Sequence, residues 1–409
     1  MKKFLLNFTV SLLALGVPAA VSAEEASGLS DLFAKGDAGI DFRYRLETVD
    51  QDGFSKNATA STLLSKLWYK TANLKGFSGY IEVTNTTVFG KETYNNTVNG
   101  NLTRPVVADP DTTEFNQGYL QYEAGWGTVK AGRQGVNLDN ERFIGTVGFR
   151  QNDQTYDAAA VILNPVEGMT ALYGYVWNVN RIFGQDHPFG DLDTNTHLIN
   201  VSYKGFGPGK LSGYGYFIDL DDAPVFALSS RTLGVRYAGN EKITASTKVG
   251  YELEYARQSD YKDNPADYSA DYWNAGLNVS ASGFTVAVNY ELLGSDKGVS
   301  FKTPLATLHA FNGWADKFLA TPANGLQDLY GSFAYKVPED MAFGGLLLKA
   351  IYHDFKSDIS DIKYGSEWNF LISKKLNKHF TTSVKAAFYN ASTYATDTTK
   401  IWFTVAAKF

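Results

Sequence analysis

The stretch GIDFRYRLET at 39–48 sets Ile40, Phe42, Tyr44 and Leu46 on one side of an extended chain. Asp41, Arg43, Arg45 and Glu47 fall on the other. A period of two marks a strand with one apolar and one polar face. The pattern returns in FTVAVNYEL at 284–292, where Phe284, Val286, Val288, Tyr290 and Leu292 oppose Asn289 and Glu291. At 248–255, Val249, Tyr251, Leu253 and Tyr255 oppose Lys248, Glu252 and Glu254. A soluble sandwich turns such an apolar face to a core, and a membrane barrel turns it to lipid. Alternation alone does not separate the two.

Connection lengths do. Strands are predicted near 39–49, 60–71, 77–89, 115–124, 128–134, 155–164, 169–180, 196–204, 210–219, 231–238, 243–256, 271–280, 284–294, 328–336, 343–356, 362–375, 381–390 and 399–409. Every second connection is short and turn-like: ANLKG, GWG, NPVEG, GFGPG, GNEK, SASG, VPEDM and LNKH. The others are mostly longer: 90–114, 135–154, 181–195, 257–270 and 295–327. Outer-membrane barrels have short periplasmic turns and long extracellular loops, whereas a sandwich has no reason to sort its loops. The expected fold is all-β: a transmembrane, antiparallel, up-and-down β-barrel of about 18 strands. An even count puts both termini in the periplasm, and closure removes edges that lipid could not satisfy.

The start of the chain, MKKFLLNFTVSLLALGVPAAVSA, reads as a secretory signal peptide over 1–23, cleaved near Ala23. Its loss removes Lys2 and Lys3 from a chain of net charge −6. The remainder, 24–409, has no linker and no shift of composition, so it is expected to form one barrel domain. The longest later apolar runs are about six residues, as at 158–163, against the ~18 of a spanning helix. There are no cysteines, which rules out disulfides and thiolate metal sites. The 25 Tyr and 27 Phe suit the aromatic girdles of a Gram-negative outer-membrane barrel. The final strand, KIWFTVAAKF, puts Ile401, Phe403, Val405, Ala407 and Phe409 on one face. It is similar to the terminal aromatic signal read by the barrel-insertion machinery. Lipid and lipopolysaccharide are the other expected partners. No cofactor or metal is implied, and an acidic chain makes nucleic acid an unlikely partner.

Strand phase also yields the lumen. The basic inward set is Arg43, Arg45, Lys66, Lys70, Lys130, Lys204, Arg236, Lys248, Lys349 and Lys385. The acidic set is Asp41, Glu82, Glu123, Glu252, Glu254, Glu291 and Glu367. Such charges either pair across strands or form a slightly positive path for anions. The carboxylates in loops 90–114, 181–195 and 257–270 fit solvated runs or weak divalent-cation ligands. Their spacing does not match an EF-hand.

Two loops stand out. AGRQGVNLDNERFIGTVGFRQNDQTYDAA at 131–159 packs Arg133, Arg142 and Arg150 among Asp139, Glu141, Asp153 and Asp157. It is too charged for lipid, and Phe143, Ile144, Val147 and Phe149 make it too apolar to float free. Either it folds into the mouth and narrows the pore, with Arg142 or Arg150 facing solute, or internal Arg–carboxylate pairs hold it without solute contact. In loop 295–327, Pro304 and LATLHAFNGWADKFLA read as a short helix with Leu305, Leu308, Phe311, Ala315 and Phe318 on one stripe, ended by Pro322 and Gly325. That helix must pack inside the barrel or cap it.

Catalysis is not expected. Only His197 and His353 of five histidines lie on predicted strands, His353 and Asp354 point to opposite faces, and GxSxG is absent. A passive channel for small hydrophilic solutes is the first reading, and a plugged structural, receptor or adhesin barrel is the alternative.

GRQ, DNERFIG, FRQNDQTYDA and FNGWADKFLATPANGLQDLY resemble the alginate export family of outer-membrane barrels, in particular its porin-like branch of unassigned substrate. The resemblance implies an 18-stranded monomeric barrel with a charged pore for anionic or sugar-like solutes, moved by diffusion or export. By that match Arg133, Arg142, Arg150 and Asp157 become the pore candidates, with Asp139 and Glu141 beside them. The exporters proper have an arginine-rich channel. The lumen here is mixed and lysine-weighted, which counts against alginate itself as the solute.

Overall fold

The computed structural model describes residues 25–223 and 225–409; the expected signal peptide lies outside the described residues. Eighteen strands form the wall. The first nine are β1 Asp37–Gln51, β2 Ala58–Lys70, β3 Phe77–Val88, β4 Thr112–Ala124, β5 Gly127–Gln134, β6 Thr155–Leu163, β7 Met169–Asn180, β8 Asp191–Tyr203 and β9 Gly209–Ile218. The second nine are β10 Ser230–Lys242, β11 Thr247–Asp260, β12 Ser269–Ala281, β13 Phe284–Leu293, β14 Leu326–Lys336, β15 Leu347–Lys356, β16 Lys363–Lys375, β17 Phe380–Ala391 and β18 Thr398–Lys408. Each strand pairs antiparallel with its sequence neighbours, and β1 pairs with β18 from Asp41↔Lys408 to Gln51↔Thr398. Closure gives every wall strand two hydrogen-bonded neighbours, which the hydrocarbon demands.

The alternation read from sequence is the alternation of the wall. Leu67, Leu120, Val286 and Ile401 stand exposed on the outer face, while Glu47, Glu291 and Trp402 are buried inside. The last carbonyl and amide of the chain, at Phe409, bond to Ile40. The end of the barrel carrying both termini has the short turns, and the other end has the long loops.

Three expectations change in detail. GNEK is not a turn: Gly239 to Lys242 continue β10, and Lys242 pairs with Lys248. The reversal falls at 243–246, where the Thr244 hydroxyl accepts from the Thr247 amide at 3.0 Å. Strand β8 begins at Asp191, five residues earlier than its pattern suggests. The helix expected after Pro304 does not form. One 3-10 turn, Leu308–Ala310, is followed by positive φ at Asn312, Gly313 and Asp316. Left-handed residues end a right-handed helix, and here the backbone is held by side chains of the wall instead. The stripe is only partly kept: Leu305, Ala315 and Phe318 are buried, and Leu308 and Phe311 are half-buried.

A helix too short for a stripe of its own, α1 Leu29–Ala34, precedes the barrel. The Leu32 carbonyl accepts from the Ala72 amide at 2.9 Å, which ties the helix to the β2–β3 turn.

Candidate functional site: a lumen crossed by interlocked loops

Loop 135–154, between β5 and β6, folds into the lumen and touches most of the wall. Asp139 reaches β8 and β9, bonding Asn200 at 2.6 Å, Lys210 at 3.0 Å and Ser212 at 2.9 Å. Asn140 donates to Glu252 of β11 at 3.1 Å. Phe143 fits among Tyr214, Tyr216, Tyr272 and Phe301, with ring centroids 5.2–6.1 Å apart. Gln151 donates to Thr62 of β2 at 2.9 Å, Asn152 accepts from Thr86 of β3 at 3.1 Å, and Asp153 pairs with Lys66 at 2.7 Å. The apolar residues that seemed out of place in an outer loop therefore form a core inside the barrel.

Its arginines are the struts. Arg142 pairs with Glu291 of β13 at 2.7 Å and donates to Asn312 at 2.8 Å. Arg150 reaches Glu47 of β1 at 3.0 Å, Asp109 at 3.6 Å and Asp316 at 3.3 Å. Burial works against both charges, but these carboxylates overcome it and hold each guanidinium more firmly protonated than usual. Arg142 is 2% exposed and Arg150 7%. The expectation that one of them faces solute is therefore corrected: both are locked in ion pairs. Removing water from these charges requires that each be compensated, and the partners converge from two strands and two loops to do so.

The second loop, 294–325 between β13 and β14, meets the first head-on. Gly145 donates to the Leu305 carbonyl at 2.9 Å, Thr307 donates to the Glu141 carbonyl at 3.0 Å, and the Thr307 hydroxyl donates to the Glu141 carboxylate at 2.6 Å. A Cβ at position 145 would come within 2.2 Å of the Thr307 hydroxyl oxygen, so only glycine permits this approach. The strands that carry the two loops lie on opposite sides of the 18-strand ring. Together the loops bridge the lumen.

At the junction, Phe149 stacks on His309 with centroids 3.6 Å apart, and the Arg45 guanidinium lies 4.2 Å from the same ring. His309 Nδ1 lies 2.6 Å from Asp316, and its Nε2 lies 2.6 Å from the Lys385 ammonium. Burial, with Lys385 adding to it, holds the imidazole down at about 3 despite Asp316. The neutral ring then donates through Nδ1 and accepts through Nε2. Burial would protonate Asp316, but His309, Lys400 and Arg150 hold it ionised well below the usual carboxylate range. Lys400 approaches Asp316 to 2.7 Å.

The residues singled out from sequence divide into three groups. Asp139, Glu141, Arg142 and Arg150 belong to the loop bridge. Arg43, Arg45, Lys66, Lys70, Lys130, Lys248, Glu252, Glu254, Lys349 and Lys385 all lie on the inner face of their strands, by alternation with buried neighbours such as Thr62, Ala256, Ile351 and Ala387. Arg133 and Asp157 are the correction. They pair with each other at 2.7 Å, and Asn180 donates to the same carboxylate. Their strand neighbours Gln134, Tyr156 and Ala158 are buried inward, so this pair lies on the outer face, close to the loop end. A one-residue step reverses the face of a strand residue.

Sequence reading missed Asp109, Asp316, His309 and Asn312. Asp109 was one of several carboxylates in a loop that looked solvated, yet it is fully buried and also accepts from the Gln151 amide at 2.8 Å. His353, dismissed as a partner of Asp354, instead bonds Asp328 of β14 at 2.9 Å.

Charge compensation differs between the two halves of the lumen. In the loop half Arg142, Arg150, Lys66 and Arg236 are each held in an ion pair. Toward the turn end, Lys70, Lys130, Lys248 and Lys349 make no ion pair among the described residues. A recess of about 520 Å³ opens there, lined by Lys248, Asn278, Ser280, Thr285 and Lys336.

Comparison with solved structures gives the same architecture. The crystal structure of Pseudomonas aeruginosa OpdL matches with a TM-score of 0.68 at 15% identity, covering 92% of this chain and 99% of that one. Acinetobacter baumannii OccAB3 matches with a TM-score of 0.71 at 12% identity, covering 92% and 100%. Pseudomonas aeruginosa OpdQ matches with a TM-score of 0.69 at 13% identity, covering 91% and 98%. No curated protein matches the sequence. The barrel and its outer-membrane setting are those of a porin-type channel for small solutes. Residues 35–292, more than half of the chain, match the family described as alginate export, and the chain belongs to that family.

Proposed function

We propose that the barrel is a passive channel biased toward small anionic or sugar-like solutes. The observation that carries this reading is the set of lysines without ion pairs among the described residues, Lys70, Lys130, Lys248 and Lys349, below a loop bridge whose Arg142 and Arg150 are paired. Fixed cations in a narrow aqueous vestibule raise the local concentration of anions, and salt screens them over about 10 Å at 0.1 M. The bridge supplies the steric limit and the lysines supply the sign of the selectivity.

The histidines support a role without catalysis. His309 and His353 are engaged by aspartates, His197 meets Tyr173 on the outer face, and His379 contacts the Lys408 carbonyl in a turn. The membrane partners follow from position. Lipopolysaccharide would meet the outer face near the loop end, and the insertion machinery would read the strand ending at Phe409.

The reversal potential of purified protein in a planar bilayer under a KCl gradient tests the reading. Stepwise conductance with anion selectivity is the expected result, and cation selectivity contradicts it. A second reading, a plugged structural or receptor barrel, draws on the interlocked loops, and absence of conductance would favour it.

A further inference from the structure

The short turns at the terminus-bearing end differ in charge. The β14–β15 turn, VPEDMAFGGL, carries Glu339 and Asp340, and Lys336 reaches back to Glu339 at 3.6 Å. The β16–β17 reversal reads KKLNKH and carries Lys374, Lys375 and Lys378. None of these three lysines makes an ion pair among the described residues. No other short turn brings three lysines so close together in the chain.

Their setting is the rim of the lipid-facing wall. Trp368, Phe370 and Ile372 are exposed on the outer face of β16, and Lys374 is the next outward residue. Val384 and Phe380 share that face on β17. Phe409 closes the row, with its ring centroid 5.9 Å from Phe380 and 4.8 Å from His379. Leu376 stands exposed at the tip. The lysines therefore begin where the apolar belt ends, at the depth where a stem can lie in hydrocarbon and an ammonium in water. The turn is also held in shape. The Asn377 side-chain oxygen accepts from the His379 and Phe380 amides at 2.8 Å and 2.9 Å, and His379 Nδ1 lies 2.6 Å from the Lys408 carbonyl of β18. A fixed backbone lowers the entropy lost in gathering several ammonium groups on one anion.

We propose that the β16–β17 turn binds the phosphate headgroup of an anionic phospholipid in the periplasmic leaflet, through Lys374, Lys375 and Lys378, with Leu376, Phe380 and Phe409 against its acyl chains. The three ammonium groups favour an anionic headgroup over a zwitterionic one. The apolar belt favours an anion that brings hydrocarbon with it. This site draws on the membrane setting of the barrel and is independent of the solute that passes through it.

Native mass spectrometry of the purified, detergent-solubilised protein tests it, with phosphatidylglycerol or phosphatidylethanolamine of matched chains added back. The wild-type barrel is expected to retain its first phosphatidylglycerol at a concentration roughly fivefold lower than phosphatidylethanolamine, the scale of one lysine near an anionic surface. The preference should fall to about twofold or less when Lys374→Gln, Lys375→Gln and Lys378→Gln are combined. Lys378→Glu, which alters the turn and no strand, should reduce it as well. Lys204→Gln, in the β8–β9 turn, should leave it unchanged. Heat-resistant migration on a gel shows that each variant is a closed barrel. Equal retention of both lipids by the wild type overturns the site. So does a preference that survives Lys378→Glu, or one that Lys204→Gln removes equally. Displacement of phosphatidylglycerol by millimolar inorganic phosphate also overturns it, because that marks a free-anion site with no part for the acyl chains.

Discussion

Arg150 joins β1, loop 89–111 and loop 294–325 at one buried point. Replacing it with methionine keeps the length but takes from Glu47 its ion pair, and leaves Asp109 only Arg45 at 3.9 Å and Asp316 only Lys400 at 2.7 Å among arginines and lysines. Removing one partner of a buried pair costs about 3–5 kcal/mol. The expected result for Arg150→Met is a lower urea midpoint in detergent together with higher, noisier conductance. Arg142→Met should do less, because Tyr272 and Asn312 still donate to Glu291 at 2.7 Å and 2.6 Å. Equal effects of the two substitutions would contradict this account. A pH dependence follows from His309 and Asp316. Both bind protons less readily in the docked loop than in a released one, His309 from 6.5 down to about 3. The released loop therefore holds more protons below pH 6.5, and docking weakens as pH falls through that window. Open-channel current fluctuations should grow from pH 6.5 toward 4 and stay flat above 7. His309→Asn should blunt the trend.

At the scale of elements, the two loops act as one bridge because each satisfies the other's backbone. Deleting 136–153 removes the partners of Leu305 and Thr307 as well as the loop itself, so conductance should rise by more than the loop's own cross-section. A gentler test is Gly145→Val, which drives a side chain into Thr307 and should part the loops while leaving the wall closed. Conductance that is unchanged in both would mean that the bridge does not limit flow. Part of this element was legible in sequence: the mixture of Arg142 and Arg150 with Phe143, Ile144 and Phe149 pointed either to folding into the mouth or to a loop held by Arg–carboxylate pairs. Its partners were not. The short helix expected after Pro304 shows why. Apolar spacing predicted a stripe, but the backbone turns left-handed at Asn312 and Asp316 so that their side chains reach Glu291 and Arg150.

For the whole molecule, the sign of the vestibule is the property to vary. Replacing Lys70, Lys130, Lys248 and Lys349 together with glutamine should move the reversal potential toward zero. Wild-type selectivity should fall as KCl rises, because water-exposed charges are screened. Selectivity that is insensitive to both would assign it to the paired loop charges instead. Barrel closure offers a second test at this scale. The chain end bonds to Ile40, so removing 407–409 should lower the yield of closed, heat-resistant barrel more than any single outer-face substitution.

The sequence by itself determined the wall. A period of two, repeated 18 times and punctuated by turns on one side only, permits a closed antiparallel barrel and little else. Each repeat is local, so each can be read locally. The tertiary structure alone decided what fills the barrel. Arg142 finds Glu291 across 149 residues, and Arg150 finds Asp316 across 166. Single contacts at such separations leave no periodic trace. Arg133 and Asp157 make the same point from the other direction: at a strand–loop junction one residue of phase decides between lumen and outer face. Three positions beyond inward Lys130, Arg133 falls on the outer face by alternation, and the register of β5 with β6 sets Asp157 opposite it.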